Sequence, residues 1–395
     1  MNDVLRAALD AHRAGRFDEA EAGYRSVLTA RPDDPKALYY LGLLQFHRGE
    51  IGEALRTLER CVSRAPGNAH AWNTLGSMLI AAGRRREALH AYEKAARCTP
   101  SMAEAWYNLG ICLRDEGRAD EAVASLREAI TRQPDYGIAY DALGALLYRI
   151  GRLDEAADVY GRWLTRDPAN PRARHMVAAL SGRDVPPRAS DEYLREHFDS
   201  FADAFDESLE RLEYRAPQLV AAALHRWRPS DDPMDILDAG CGTGLCGPLV
   251  RDMSRRLVGV DLSERMIDRA RERGAYDELA VEELCMYLRS RPECFDAVIA
   301  ADTLNYFGPL EEPLSAIRRA LRPGGLTIFT LEALRGSPRA DHRLGPHGRY
   351  AHDAAYVASA LAAGEFHLCA LDEETLRLER DEAVPGYLVV ARRRD

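Results

Sequence analysis

The strongest constraint on this chain is a period. Ala20, Ala54, Ala88, Ala122 and Ala156 recur every 34 residues, and Pro32, Pro66, Pro100, Pro134 and Pro168 keep the same interval. Gly15, Gly49, Gly83, Gly117 and Gly151 hold that register. So do Gly42, Gly76, Gly110 and Gly144, each preceded by leucine, with Leu38, Trp72, Trp106 and Tyr140 four residues ahead of them. The spacing predicts two helices per unit, with small residues where the pair crosses, glycine in the turn between them and proline after the second helix ends. One such unit cannot bury its apolar face alone, so successive units must stack and present one concave surface.

These positions resemble the tetratricopeptide repeat, in five copies over residues 1–168. The resemblance implies an all-α solenoid whose concave surface takes a protein or peptide. The first copy carries Val4, Ala7 and Ala8 where the others have a bulky residue, leucine and glycine, which suits a capping unit. Asn170 to Leu180 is alanine-rich and amphipathic and is expected to seal the last repeat, giving a repeat domain over 1–180. Ser181 to Ser190 has Gly182, Pro186 and Pro187 and no helical period, and reads as a linker. Residues 191–395 then form a second domain.

That domain is organised around Met234 to Gly244, Met-Asp-Ile-Leu-Asp-Ala-Gly-Cys-Gly-Thr-Gly. Ile236 and Leu237 end a short buried strand, and Gly240, Gly242 and Gly244 form a turn whose bare backbone a ligand can approach. Gly242, Gly244 and Gly247 also fit the dinucleotide fingerprint, which alone decides little. Asp238 separates the readings: a carboxylate at the mouth of the turn repels a pyrophosphate and welcomes an ammonium. S-adenosylmethionine carries an ammonium, a sulfonium and an adenosine, and no phosphate. Asp261 ends the next apolar run, Leu257 to Val260, where a doubly wound fold reaches ribose hydroxyls; a nicotinamide enzyme would share that acid.

The successive stretches ILDAGCGTG, LVGVDLS, FDAVIAADTLNY and LRPGGLTIF resemble the motifs of class I S-adenosylmethionine-dependent methyltransferases, from about Met234 to Phe329. The whole chain resembles a bacterial family of tetratricopeptide-containing methyltransferases. The fold this implies is multidomain, an all-α tetratricopeptide solenoid followed by an α/β Rossmann-like domain with seven strands, the last inserted antiparallel. The strands are expected at Leu257–Asp261, Leu279–Val281, Phe295–Ala301, Leu326–Leu331, Thr375–Arg380 and Gly386–Ala391, after the first at Ile236–Leu237. The cofactor residues implied are Asp238, Gly240, Gly242, Gly244, Asp261 with Leu262, Glu283 in preference to Glu282 for the adenine, and Asp302 beyond the fourth strand. Tyr193, Phe198, Phe201 and Phe205 read as a packing stripe or, as the resemblance implies, Tyr193, Phe198 or Phe201 would contribute to a lid. The loop Arg339 to His352 falls where the superfamily builds its acceptor pocket, which nominates Tyr350 and His352; His352 or Asp302 would serve as general base if the acceptor arrives protonated. The Asn-Pro-Pro-Tyr type motif of methyltransferases acting on amide or base nitrogens is absent after the fourth strand.

Charge narrows the partners. The chain carries a formal −10, and residues 181–395 hold 39 acidic against 28 basic side chains. So acidic a domain is poorly suited to nucleic acid or an anionic membrane. The eight cysteines contain no C-x-x-C pair and no His/Cys cluster at ligand spacing, so no metal is expected, and Cys241 reads as a small residue in the turn. No apolar run reaches signal-peptide or membrane-spanning length, which points to the cytoplasm and reduced thiols. Three functions stay open: methylation of a protein recruited by the repeats, methylation of a small molecule with architectural repeats, and a non-catalytic adaptor that senses the cofactor.

Overall fold

The computed structural model describes residues 2–336, 340–379 and 382–395, so Arg339 and Arg380 lie outside the described residues. The chain forms two compact units, Met1–Arg166 and Asp167–Asp395. The first consists of five antiparallel helix pairs, Asn2–Arg13 with Phe17–Ala30, Pro35–His47 with Ile51–Arg64, Ala69–Ala81 with Arg85–Cys98, Ala103–Asp115 with Ala119–Arg132, and Gly137–Arg149 with Leu153–Arg166. Gly15 and its four periodic counterparts sit in the turns with φ between 73° and 80°, the left-handed region that other residues enter at a cost. The second glycine series lets helices of a pair approach closely. A methyl group at Gly76 would stand 2.6 Å from the Tyr92 ring, and one at Gly144 would stand 2.4 Å from the Tyr160 ring. Asp34 and Asn68 cap the second and third pairs through the amides of Ala37 and Ala71. Trp72 and Trp106 donate their indole N–H to the carbonyls of Pro66 and Pro100, so the periodic prolines also anchor the following helix.

The second unit is built on one sheet. Its strands are β1 (Met234–Ala239), β2 (Ser254–Asp261), β3 (Glu278–Val281), β4 (Phe295–Ala300), β5 (Leu321–Ala333), β6 (His342–Leu344), β7 (Tyr350–His352), β8 (Phe366–Glu379) and β9 (Glu382–Arg393). The order β3-β2-β1-β4-β5 is parallel, and β9 lies antiparallel to β5 with β8 antiparallel outside it. These are the seven expected strands. The hairpin β6–β7 is an addition, with β7 extending the sheet at the carboxyl end of β5 through Glu332 and Ala333. The last two strands are far longer than expected, and β5 begins before Pro323 through a register shift opposite Phe295–Ala297.

Alternation divides the core. Ile236, Leu257, Ala297, Ile299 and Ile328 pack on Val220 and Leu224 of the helix Ala216–Trp227. Leu237, Val258, Val298 and Phe329 point to the other face, against the helices Leu284–Arg289, Glu311–Ala320 and Ala354–Ala363. Both faces of the parallel strands are thus covered, as a buried parallel sheet requires.

Two segments depart from the expected organisation. The helix Pro171–Ser181 belongs to the second unit, where Ala178 and Ala179 pack on Leu344 and Tyr350. The stretch read as a linker is fixed to the sheet unit: Gly308 donates to the Pro187 carbonyl at 2.8 Å, Ala189 donates to the Tyr306 carbonyl at 2.8 Å, and Ala189 is fully buried. Proline removes a backbone donor and keeps its acceptor, so a proline pair can still edge a strand.

The close helix crossings predict opposite effects for two glycines. Gly144→Ala forces a methyl into the rigid Tyr160 ring and should destabilise the repeats by about 1–3 kcal/mol. Gly161→Ala, in the helix Leu153–Arg166 with nothing within 4 Å, should stabilise them by up to about 1 kcal/mol. Urea midpoints of both variants check this, and equal shifts would contradict the packing described.

Candidate active site

The carboxyl ends of β1, β2, β3 and β4 open into one cavity of about 220 Å³, whose lining includes Gly240, Gly242, Asp261, Leu262, Glu282, Glu283, Asp302 and Thr303. Its floor is the glycine turn. Gly240 has φ 72° and no room for a side chain, because a methyl there would meet Thr303 Oγ1 at 2.3 Å. Gly244 has φ 85° and packs against Tyr276 and Ala270, away from the cavity lining. Gly242 differs from both. A methyl at its position would meet only the Phe205 ring, at 3.8 Å, so this backbone lies open to a ligand. Asp261 holds the turn: Oδ2 accepts from Gly242 N at 2.9 Å and Oδ1 from Ser263 N at 2.9 Å. Burial raises its pKa against the pull of these amides, and lone pairs remain for further donors.

Asp238 lies beneath the turn rather than in the cavity wall. It is 1% exposed, its Oδ2 accepts from Tyr276 Oη at 2.6 Å, and its Oδ1 has no partner among the described residues. Burial pushes its pKa up to about 7 although the Tyr276 hydrogen bond opposes this. The sequence places Asp238 at the mouth of the turn, whereas in the structure it is buried under the turn and does not line the cavity.

Both acids after β3 reach the cavity. Glu283 caps the helix Leu284–Arg289 by accepting from Met286 N at 2.8 Å and stands 3.6 Å from Arg188. Among the described residues, the Glu282 carboxylate pairs only with Arg291, at 3.7 Å. The sequence preference for Glu283 thus rests on a side chain already occupied as a helix cap, and Glu282 is the less engaged of the two.

The opposite end of the cavity is formed by Asp302, Tyr306, Arg349 and Arg377. Asp302 has φ 57°, a conformation rare outside glycine. Its amide donates to Thr330 Oγ1, and its carboxylate accepts from Thr330 Oγ1 at 2.8 Å, Asn305 Nδ2 at 3.2 Å and Arg377 Nη1 at 3.1 Å. Behind it, Glu332 accepts from Arg377 Nη2 and from Arg349 Nε, and Glu379 from Arg377 Nε and Arg349 Nη2. Burial disfavours the Glu332 charge, yet Arg349, His347 and Arg377 hold its pKa well below the usual carboxylate range.

Aromatic rings roof the cavity. Phe198, Phe201 and Phe205 come from the segment Asp191–Arg211 and stack edge-on, with centroids 5.6 Å apart for Phe201 and Phe205 and 5.6 Å for Phe198 and Tyr306. Thr243 in the turn donates to Asp206 Oδ1 at 2.5 Å, and Ser263 to Asp199 Oδ1 at 2.5 Å, which tie roof to floor. Of the three lid candidates, Phe198 and Phe201 line the cavity. Tyr193 is buried against His175, ring centroids 4.1 Å apart.

The catalytic roles anticipated for Tyr350 and His352 are not supported, since neither lines the cavity. Tyr350 is fully buried and donates to the Pro186 carbonyl; burial pushes its pKa up to about 12. His352 is fully buried, its Nε2 donates to Gly308 O at 2.9 Å, and burial pushes its pKa down to about 4. Their strand alternates, and it is Arg349, one residue earlier, that faces the cavity. His197, Tyr214, Tyr306, Arg188 and Arg377 also line it and were missed. The four-residue spacing of His197 and Phe201 on the lid helix was a usable signal; the others follow from tertiary placement.

Comparison with known proteins identifies both domains. A family described as a methyltransferase domain matches residues 236–325, and the tetratricopeptide repeat family matches residues 5–69, 73–137 and 113–171. The chain is similar to human methyltransferase-like protein 27, 32% identical over 165 residues, 40% of this chain and 64% of that protein. It is also similar to the bovine 18S rRNA (guanine-N(7))-methyltransferase, 33% identical over 78 residues, 20% of this chain and 28% of that one. The chain spans less than two thirds of the length of each of these relatives. Among solved structures it is similar to the MamA protein, with a TM-score of 0.39 and 25% identity over 42% of this chain and 91% of that one. This chain joins a tetratricopeptide repeat domain to a methyltransferase domain.

Proposed function

We propose that the second unit is an S-adenosylmethionine-dependent methyltransferase and that the repeats bring it a protein acceptor or the carrier of one. The carrying observation is the open backbone at Gly242, clamped by the Asp261 carboxylate at the floor of the cavity. The charge of the lining supports this over a dinucleotide. Asp191, Asp261, Glu282, Glu283 and Asp302 face three guanidinium groups, Arg188, Arg349 and Arg377, an excess of acid that suits a sulfonium and an ammonium and opposes a pyrophosphate.

When bound, S-adenosylmethionine supplies a methyl group on a sulfonium, whose departure leaves a neutral thioether. The residues of the chain have orientation and exclusion of water as their main tasks. Asp261 accepts the ribose hydroxyls while its remaining lone pairs hold Gly242 and Ser263 in place. Glu282 or Glu283 meets the adenine amino group at the far edge. Phe198, Phe201 and Phe205 close the cavity against solvent. Asp302, strained and held by Thr330, Asn305 and Arg377, shapes the turn where the methyl group is delivered.

For the repeats, a large concave surface favours an extended or helical protein segment over a free metabolite. No helix among the described residues is long and apolar enough to cross a membrane. The alternative, architectural repeats beside a small-molecule enzyme, makes a different kinetic prediction.

Asp261→Ala should weaken cofactor affinity roughly ten- to a hundredfold, the loss expected for hydrogen bonds to a charged acceptor. Titration calorimetry with S-adenosylhomocysteine reads it, and an unchanged affinity would remove Asp261 from the site. A shortened chain must keep Asp167–Asp395, because His175 and the strap at Pro186–Ala189 belong to the second unit. That fragment should bind cofactor like the full chain yet methylate the natural acceptor much more slowly when acceptor is scarce. Equal rates below saturation would favour architectural repeats.

A further inference from the structure

The cavity spans the sheet edge. From β3, which bears the acids assigned to adenine, to β4, which bears Asp302, is three strand spacings, about 14 Å. The cofactor reading, on which this section rests, fills the β3-β2-β1 side. The β4 side is left for the acceptor, and its side chains have a common chemistry.

They are donors. Arg349 gives Nε to Glu332 at 2.6 Å and Nη2 to Glu379, while among the described residues nothing accepts from Nη1. The Tyr214 and Tyr306 hydroxyls likewise have no acceptor among the described residues, and both line the cavity. Burial raises the pKa of each, so they stay protonated and cannot act as bases. His197 Nδ1 takes a hydrogen bond from Arg172 at 3.0 Å, which leaves the ring proton on Nε2. Its pKa is pushed down to about 3 by burial, then by Arg172 and Arg349, so the ring stays neutral. Arg349 is itself fixed from behind, since His175 donates to the carbonyl of the adjoining Gly348 at 2.8 Å.

Among the described residues, the carboxylates near this end are already hydrogen-bonded or ion-paired. Asp302 is engaged by Thr330, Asn305 and Arg377, and Asp191 is paired with Arg188 at 2.7 Å. An amine or a phenol arrives carrying a proton that must be removed. A carboxylate arrives ionised at neutral pH, with oxygens that Arg and phenol donors fit.

We propose that the acceptor is a carboxylate, held by Arg349, Tyr214, Tyr306 and His197, and that the product is a methyl ester. A carboxylate oxygen forms the new O–C bond as the C–S bond breaks. The sulfur takes the bonding pair and leaves as a neutral thioether, the acceptor becomes a neutral ester, and no proton moves. The sulfonium supplies the positive charge that faces the incoming anion, which offsets the acids behind the arginines.

The test follows from ester chemistry. The full chain is incubated with S-adenosylmethionine labelled on the methyl group and an extract of cells that make it, and the product is treated with mild alkali. Methyl esters release the label as volatile methanol; methylated nitrogen, sulfur, carbon and ether oxygen do not. Release of most of the transferred label supports the inference. Tyr306→Phe should then lower ester formation about tenfold at limiting acceptor with S-adenosylhomocysteine affinity unchanged, the loss of one hydrogen bond to an anion. Alkali-stable label, or cofactor binding with no transfer to the extract, overturns the carboxylate acceptor and leaves the cofactor reading standing. Failure of calorimetry to detect S-adenosylhomocysteine binding overturns both. A Tyr306→Phe variant that loses cofactor affinity in step with ester formation would assign that hydroxyl to the cofactor and remove it from the acceptor site.

Discussion

The hydrogen bond from Gly242 N to Asp261 Oδ2, 2.9 Å long, is the contact on which the second unit turns. It joins the end of β2 to the loop leaving β1 and fixes the loop with its bare face outward. Asp261 must be charged to do this well, and burial works against that charge, so two backbone amides are needed to hold it. The same clamp sets the position of Thr243, whose hydroxyl reaches Asp206 in the roof. Floor and roof are thus assembled through one carboxylate.

The other half of the cavity depends on a buried ionic network. Glu332, Glu379 and Asp302 surround Arg349 and Arg377, and Arg377 is 3% exposed. Buried ion pairs add little to stability compared with apolar packing, but removing one partner leaves a costly unpaired charge. Such a network therefore serves better to position groups than to stabilise the fold. What it positions is a guanidinium facing the cavity and a carboxylate in a strained backbone at the end of β4.

Much of this was legible in the sequence because it rests on local steric demands. The repeat glycines must be small where helices cross within 3 Å of a would-be methyl, and the period of 34 residues states that demand four times over. The strand-turn sequence at Ile236–Gly244 is local in the same way. The acceptor side is not. A register shift between Thr375 and Arg377 in β8 accompanies the turning of Arg377 toward Asp302, and no alternation pattern reveals a bulge of this kind. Tyr350 and His352 were sought in the correct loop, yet β7 pairs with β5 and sends those two inward and Arg349 to the cavity. In a strand a shift of one residue exchanges the faces. Gly182, Pro186, Pro187 and the lack of helical period suggested a linker, whereas the carbonyls of Pro186 and Pro187 and the amide of Ala189 fix this stretch to the sheet unit.

The central claim is that the cavity takes S-adenosylmethionine rather than a phosphate-bearing nucleotide. Parallel calorimetric titrations of the full chain with S-adenosylhomocysteine and with NADH test it most directly. The account predicts saturable binding of the thioether at one site per chain and no heat from NADH. Saturation by NADH, with none by S-adenosylhomocysteine, would contradict it.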